Sequence, residues 1–178
     1  MKEPKPKPNG RRRAPRTLLD TRKTYVAVVQ TNCGSFTVKL WTKLSPHTTA
    51  SFVALARAGF FDRTTFHRIV PGFVIQGGDP TASGRGGPGY ETTDVPPTGT
   101  GYTKGVVAMA KTETEPAGTA GSQFFVVTGV DAALPPVYAL LGKVTTGLDV
   151  VERIGRLGDA RERPKQPIVV DRISIETS

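Results

Sequence analysis

The stretch FHRIVPGFVIQGGDP (66–80) holds two short apolar runs on either side of Pro71-Gly72 and ends in a glycine-rich segment. FHRIV (66–70) and FVIQ (73–76) read as short strands, because β-branched and aromatic residues fit a pleated surface and Pro-Gly supplies a turn. Strict alternation places Phe66 and Arg68 on one face, opposite His67 and Ile69. An arginine flanked by apolar and aromatic residues is either a stacked surface residue or a functional cation, and pattern alone favours the surface. Phe73, Val74 and Ile75 read as core, Gln76 as a satisfied buried amide, and Gly77-Gly78-Asp79-Pro80 as a turn. By itself this stretch names no enzyme.

On either side of it the same short rhythm recurs. TYVAVVQT (24–31) and SFTVKLW (35–41) flank a turn at Asn32-Cys33-Gly34, a hairpin pattern. Ser45-Pro46 offers an N-cap and a first-turn proline for a helix over 46–58 that Gly59 ends. Residues 77–103 form a long polar loop, a length that points to function in a compact domain. Further strands are expected at 104–110, 123–128, 140–145 and 167–176, and a second helix at 147–155. Many short strands with two isolated helices predict a mainly β fold, a closed antiparallel barrel with helices capping its ends.

The 178 residues suit one domain with enough chain for a proper core. Twenty glycines and 15 prolines speak against a helical bundle. With one cysteine, Cys33, no intramolecular disulfide can form, and His47 and His67 have no metal-ligand spacing. No metal or cofactor is expected. No apolar run approaches the ~18 residues of a membrane span. The N-terminus is charged and Pro-rich without an apolar h-region, so the chain as written is expected to be cytoplasmic. A Pro/Lys-rich stalk would equally suit a bacterial extracytoplasmic protein whose export signal or anchor had been removed.

The net charge of +9 is unevenly placed: residues 1–23 hold nine bases against two acids, a net of +7, which leaves +2 for residues 24–178. Residues 1–23 are therefore expected to be a disordered basic tail, and 24–178 the folded domain. The tail reads either as a contact for nucleic acid, ribosome or anionic lipid, or as a solvated linker. No stacking aromatics interleave with its bases, so specific nucleic-acid binding is not expected. Residues 84–89 spell GRGGPG, a formal match to a dinucleotide fingerprint. The adjoining YETTDVPPTGTG (90–101) cannot be the helix that such a fingerprint requires, and these glycines read as a flexible surface loop.

Taken together and in order, FHRIVPGFVIQGGDPT, GVVAMA (105–110), GSQFFV (121–126), LGKV (141–144) and GLDVVERI (147–154) resemble the cyclophilin-type peptidyl-prolyl cis-trans isomerases, in a bacterial-like form. The likeness covers residues 24–176. It implies an eight-stranded barrel with two helices, a substrate groove on its outer face, and rotation about X-Pro bonds in peptides and unfolded proteins as the activity. It also implies a catalytic set of Arg68, Gln76 and Phe73. The implied substrate contacts are Val74, Ala110, Lys111, Gln123, Phe125, Leu134 and Tyr138. Among these, Phe73, Val74, Phe125 and Leu134 would seat the proline ring, and Tyr138 stands at a position that is usually His.

Some positions depart from the family. Ala133 stands where many members carry a groove tryptophan, and Lys111 replaces a groove asparagine. The lone Trp41 lies on an early strand and is a different residue. Weak cyclosporin binding is therefore expected, with catalysis less affected. A non-catalytic module that only holds Pro-containing segments is the rival reading; Arg68 with Gln76 and Phe125 argues for activity. A monomer is the default expectation.

Overall fold

The computed structural model describes residues 3–178. β1 (Tyr25–Thr31) and β2 (Gly34–Leu40) form the hairpin expected from their alternation. α1 (Pro46–Arg57) follows, then β3 (Thr64–Thr65), β4 (Arg68–Val70), β5 (Val74–Gly77), β6 (Thr92–Thr93), β7 (Val106–Met109), β8 (Thr119–Ala120) and β9 (Phe124–Val127). β10 (Leu140–Thr146), α2 (Leu148–Gly155) and β11 (Val169–Thr177) complete the chain.

Nine strands make one curled antiparallel sheet in the order β3-β11-β1-β2-β10-β7-β9-β5-β4, and β6 pairs separately with β8. The expected closed eight-stranded barrel is corrected to a strongly curled nine-stranded sheet whose β3 edge meets the chain just past β5 only in an isolated Thr65–Asp79 bridge. The edge strands β3 and β4 do not pair with each other; the covalent link through Phe66-His67 carries the chain from one edge to the other. That step also resets the alternation. Phe66 and Ile69 are both fully buried in the inner core, whereas Arg68 turns outward, so Phe66 and Arg68 do not share a face.

The strands β7 and β9 are buried on both faces, which explains their unbroken apolar runs, while β5 is interrupted by the half-buried Gln76. Ile75, Val107, Met109, Phe124 and Val126 point into the inner core with Phe36, Phe52, Phe61 and Phe66. Phe124 packs edge-on against Phe52 at 5.7 Å and Phe66 at 5.9 Å between ring centroids. Their alternates Val74, Val106, Ala108, Phe125 and Val127 build a second apolar cluster on the outer face.

The N-terminus of α1 is finished differently from expectation. Ser45 makes no side-chain cap, and its buried hydroxyl has no partner among the described residues. The carboxylate of Asp94, from the long loop, accepts the Thr48 N–H at 2.6 Å instead. A carboxylate there meets both an orphan donor and the positive end of the helix dipole.

Residues 3–23 contain no helix or strand. They were expected to be a disordered tail, yet residues 7–12 lie against the 80–88 loop, with Lys7 N–H donating to the Pro80 carbonyl at 2.8 Å and Arg12 N–H to that of Pro88 at 2.9 Å. Lys7 Nζ reaches the Phe60 carbonyl at 3.1 Å, and the Arg12 guanidinium lies over the Phe60 ring at 5.7 Å. These contacts are made by backbone groups and basic side chains, since the segment is poor in apolar side chains. Among the described residues no helix is long and apolar enough to cross a membrane.

Candidate active site

Strands β4, β5 and β9 are neighbours at one edge of the sheet, and their pairing brings Arg68 opposite Gln76 and Gln76 opposite Phe125. Side chains on the same face of paired strands are in reach of one another. Arg68 Nη1 donates to Gln76 Oε1 at 3.2 Å, and Gln76 Nε2 donates to Gln123 Oε1 at 3.0 Å. Gln123 Nε2 donates to the Gly86 carbonyl at 2.9 Å. Each glutamine gives with nitrogen and accepts with oxygen, so the relay sets both amide orientations.

Arg68 has a second anchor that the sequence reading did not include. Its Nε donates to Glu162 Oε2 at 2.6 Å, and the Ile69 N–H donates to the Glu162 carbonyl at 2.9 Å. Glu162 sits at φ 61°, a left-handed backbone unusual for a side chain this size. Its segment, RERP, has no periodicity that would have singled it out. With Nε and one Nη1 hydrogen engaged, the remaining N–H groups of Arg68 have no hydrogen-bond partner among the described residues.

Beside this polar row lies an apolar shelf. Phe73, Ala110, Leu134 and Tyr138 are half-buried against the second cluster, above Val74 and Phe125. Phe125 and Tyr138 meet edge-to-face at 5.6 Å. Beneath them stands Tyr102, fully buried, also missed in the sequence because it lies in a polar loop among glycines. Its hydroxyl donates to the Tyr138 carbonyl at 2.7 Å and accepts the Tyr138 N–H at 3.0 Å. Burial holds that phenol's pKa above its usual value. Lys111 Nζ lies 5.6 Å from the centre of the Tyr138 ring and donates to the carbonyls of Thr112 and Glu115 at 2.9 and 3.0 Å.

All ten residues singled out from the sequence therefore fall on one continuous surface: Arg68, Gln76 and Gln123 on the polar row, the apolar group on the shelf, and Ala110 with Lys111 between them. Past Ala110 the surface drops into a cavity of about 710 Å³, lined by Gln76, Ala110, Lys111, Gln123 and the 84–91 loop. The glycines of that loop suggest a flexible surface segment. Here it is tied down by Asp79, whose carboxylate accepts from the Thr81 N–H at 2.7 Å and the Gly84 N–H at 2.6 Å. Burial pushes the Asp79 pKa up, but bonds from Thr81, Gly86 and Gly84 outweigh it and hold the carboxyl below its ordinary range.

The site thus combines a curled antiparallel sheet, an apolar shelf on its outer face and an anchored cation at its edge. Comparison with known proteins supplies the family. The family model described as "Cyclophilin type peptidyl-prolyl cis-trans isomerase/CLD" matches residues 26–175. The chain is 37% identical over 147 residues to peptidyl-prolyl cis-trans isomerase-like 1 of Neurospora crassa, covering 80% of this chain and 88% of that protein. It is 36% identical over 171 residues to peptidyl-prolyl cis-trans isomerase A of Mycobacterium tuberculosis, covering 85% and 92%. A crystal structure of a Cryptosporidium parvum cyclophilin-type isomerase superposes with a TM-score of 0.78 at 29% identity, covering 86% of this chain and 98% of that one. The same isomerase has been solved in the presence of the dipeptide Ala-Pro, at 30% identity to this chain. This chain belongs to the cyclophilin-type peptidyl-prolyl cis-trans isomerase family. Its activity is rotation about the peptide bond before proline, the work of a protein-folding helper.

Proposed function

We propose that Arg68, Gln76 and Phe73 carry the isomerisation, with Val74, Ala110, Lys111, Gln123, Phe125, Leu134 and Tyr138 holding the substrate. The double-bond character of the peptide C–N bond sets a barrier of about 18–20 kcal/mol. Before proline the two isomers are nearly balanced, yet they exchange over tens to hundreds of seconds. No covalent bond needs to break. Twisting the bond makes the prolyl nitrogen pyramidal and returns its lone pair, so a donor aimed at that nitrogen binds the twisted state better than the planar one. The remaining N–H groups of Arg68 are such donors, and a guanidinium keeps its charge throughout the physiological range. Phe73, Val74, Phe125 and Leu134 seat the ring while the preceding carbonyl swings. Gln76 steadies the cation.

The observation that carries this reading is the double anchoring of Arg68, at 2.6 Å to Glu162 and 3.2 Å to Gln76, at the edge of the shelf. A donor already in place costs no reorganisation as the bond twists. NMR exchange on an Ala-Pro peptide tests it: Arg68→Ala should lower the catalysed rate by ~10²–10³-fold. Arg68→Lys should recover little of it, because a point charge cannot keep both anchors and still face the substrate. A wild-type protein that binds the peptide without speeding exchange would make the chain a holding module instead.

Weak cyclosporin binding belongs to the same proposal. Ala133 stands where many family members present an indole, and its φ of 51° leaves a left-handed turn there.

A further inference from the structure

The cavity beyond Ala110 has a wall from outside the family-matched region. Asn9 and Gly10 line it alongside Gln76, Lys111 and Gln123. Gly10 N–H donates to the Gly87 carbonyl at 2.9 Å, and Gly87 N–H returns a bond to Asn9 Oδ1 at 3.0 Å. Two glycines make this approach possible. A Cβ on Gly10 would lie 2.5 Å from the Pro88 carbonyl oxygen, and one on Gly89 would lie 2.6 Å from the Gly10 carbonyl oxygen. Both obstacles are backbone and cannot swing aside. The contact is thus written into both segments, far apart in the chain, and a merely solvated tail has no need of that match.

We propose that residues 7–12 are a working wall of the substrate site, which limits the side chains the enzyme accepts beside the proline. Ala110 belongs both to the shelf and to the cavity, so a peptide whose proline sits on the shelf sends one flank toward Asn9 and Gly10. The wall also bears on the polar row. It braces Gly87, next to Gly86, whose carbonyl receives Gln123, and Gln123 in turn holds Gln76. Lys7 secures the upstream end on the Phe60 carbonyl, where burial depresses its pKa below the ordinary lysine range. The ligand is an extended peptide, and the selection is by size at a residue flanking the proline. This inference rests on the isomerase activity.

The test uses the full chain, wild type and two variants, Gly10→Val and Asn9→Ala. Peptides carry Gly, Glu, Lys or Phe at a position before or after Ala-Pro. In the wild type, the amides of Gly10, Arg12 and Gly87 should exchange slowly with solvent. In Gly10→Val that protection should vanish, and the side-chain amide resonances of Gln123 and Gln76 should shift. The ratio of kcat/KM for the Phe peptide to the Gly peptide should then rise about tenfold at one flank, the scale on which pocket size discriminates. Asn9→Ala should move the same ratio in the same direction by less. Three results overturn the proposal: free-peptide exchange at Gly10 in the wild type, retained protection in Gly10→Val, or an unchanged ratio once the segment is displaced. An inactive wild type refutes the activity itself, and the amide exchange still reports on the wall. Loss of the fold in Gly10→Val, read by circular dichroism, overturns the proposal, since a wall can be removed without unfolding the sheet.

Discussion

Arg68 Nε and Glu162 Oε2 are 2.6 Å apart, and both side chains are more than one-third exposed. An ion pair this open adds little to stability, typically under about 1 kcal/mol. Its effect is on direction: it holds the guanidinium plane while Gln76 takes a second donor. Glu162 also keeps a left-handed φ of 61°, a conformation that costs a non-glycine residue ~1 kcal/mol or more.

These two facts give opposite signs to stability and activity. Glu162→Gly should leave the melting temperature unchanged or raise it, because glycine accepts that backbone without strain. The same change should lower kcat/KM about tenfold, a loss of ~1.4 kcal/mol in transition-state stabilisation. Glu162→Gln should lie between, as it keeps an acceptor and loses the charge. Peptide exchange NMR with a thermal melt reads both; a Glu162→Gly enzyme at wild-type kcat/KM would show that Glu162 plays no positioning part.

Tyr102 supports the shelf from below. Tyr102→Phe removes one hydroxyl and leaves both the N–H and the carbonyl of Tyr138 without their partner. Unpaired groups of this kind cost ~1–3 kcal/mol. For a chain of this size that corresponds to a drop of about 2–12 °C in melting temperature. KM for peptides should rise as Tyr138 loosens, with kcat changed by less than about twofold, since the group is remote from the guanidinium.

His67 links pH to stability. Burial lowers its pKa first of all, Arg68 adds to that, and Asp79 opposes it. Arg163 and Lys165 line the same small cavity, as does Glu3. Below about pH 6.5 the unfolded chain takes up a proton that the folded state resists, so stability falls as pH drops from that value toward the lowered folded pKa. Denaturant midpoints should decline between about pH 7 and pH 5, and His67→Gln should flatten that slope. An equal slope in both proteins would place the titration elsewhere.

Inhibition by cyclosporin should be weak. A titration of isomerase activity should show potency well short of the nanomolar range, and a nanomolar result would mean that an indole in place of Ala133 is dispensable.

The amino-acid sequence alone carried the strand rhythm and both helices. Alternation and capping are local, so β1, β2 and α2 could be read off directly, and the ordered blocks around Arg68 and Phe125 gave the family. Contacts between residues far apart in the chain came only with the folded molecule. Asp94 rather than Ser45 caps α1, because the long loop folds back onto its first turn. Phe66 and Arg68 part company because the chain changes sheet edges between them. The FHRIVPGFVIQGGDP stretch left Arg68 as either a surface residue or a functional cation, and nothing in it pointed to Glu162, 94 residues on, as its anchor. Nor could KEPKPKPNGRRR show that Gly10 fits against Gly89. Local periodicity reports which face a residue takes; which distant residue meets that face is set by how the sheet curls, and only the folded chain carries that.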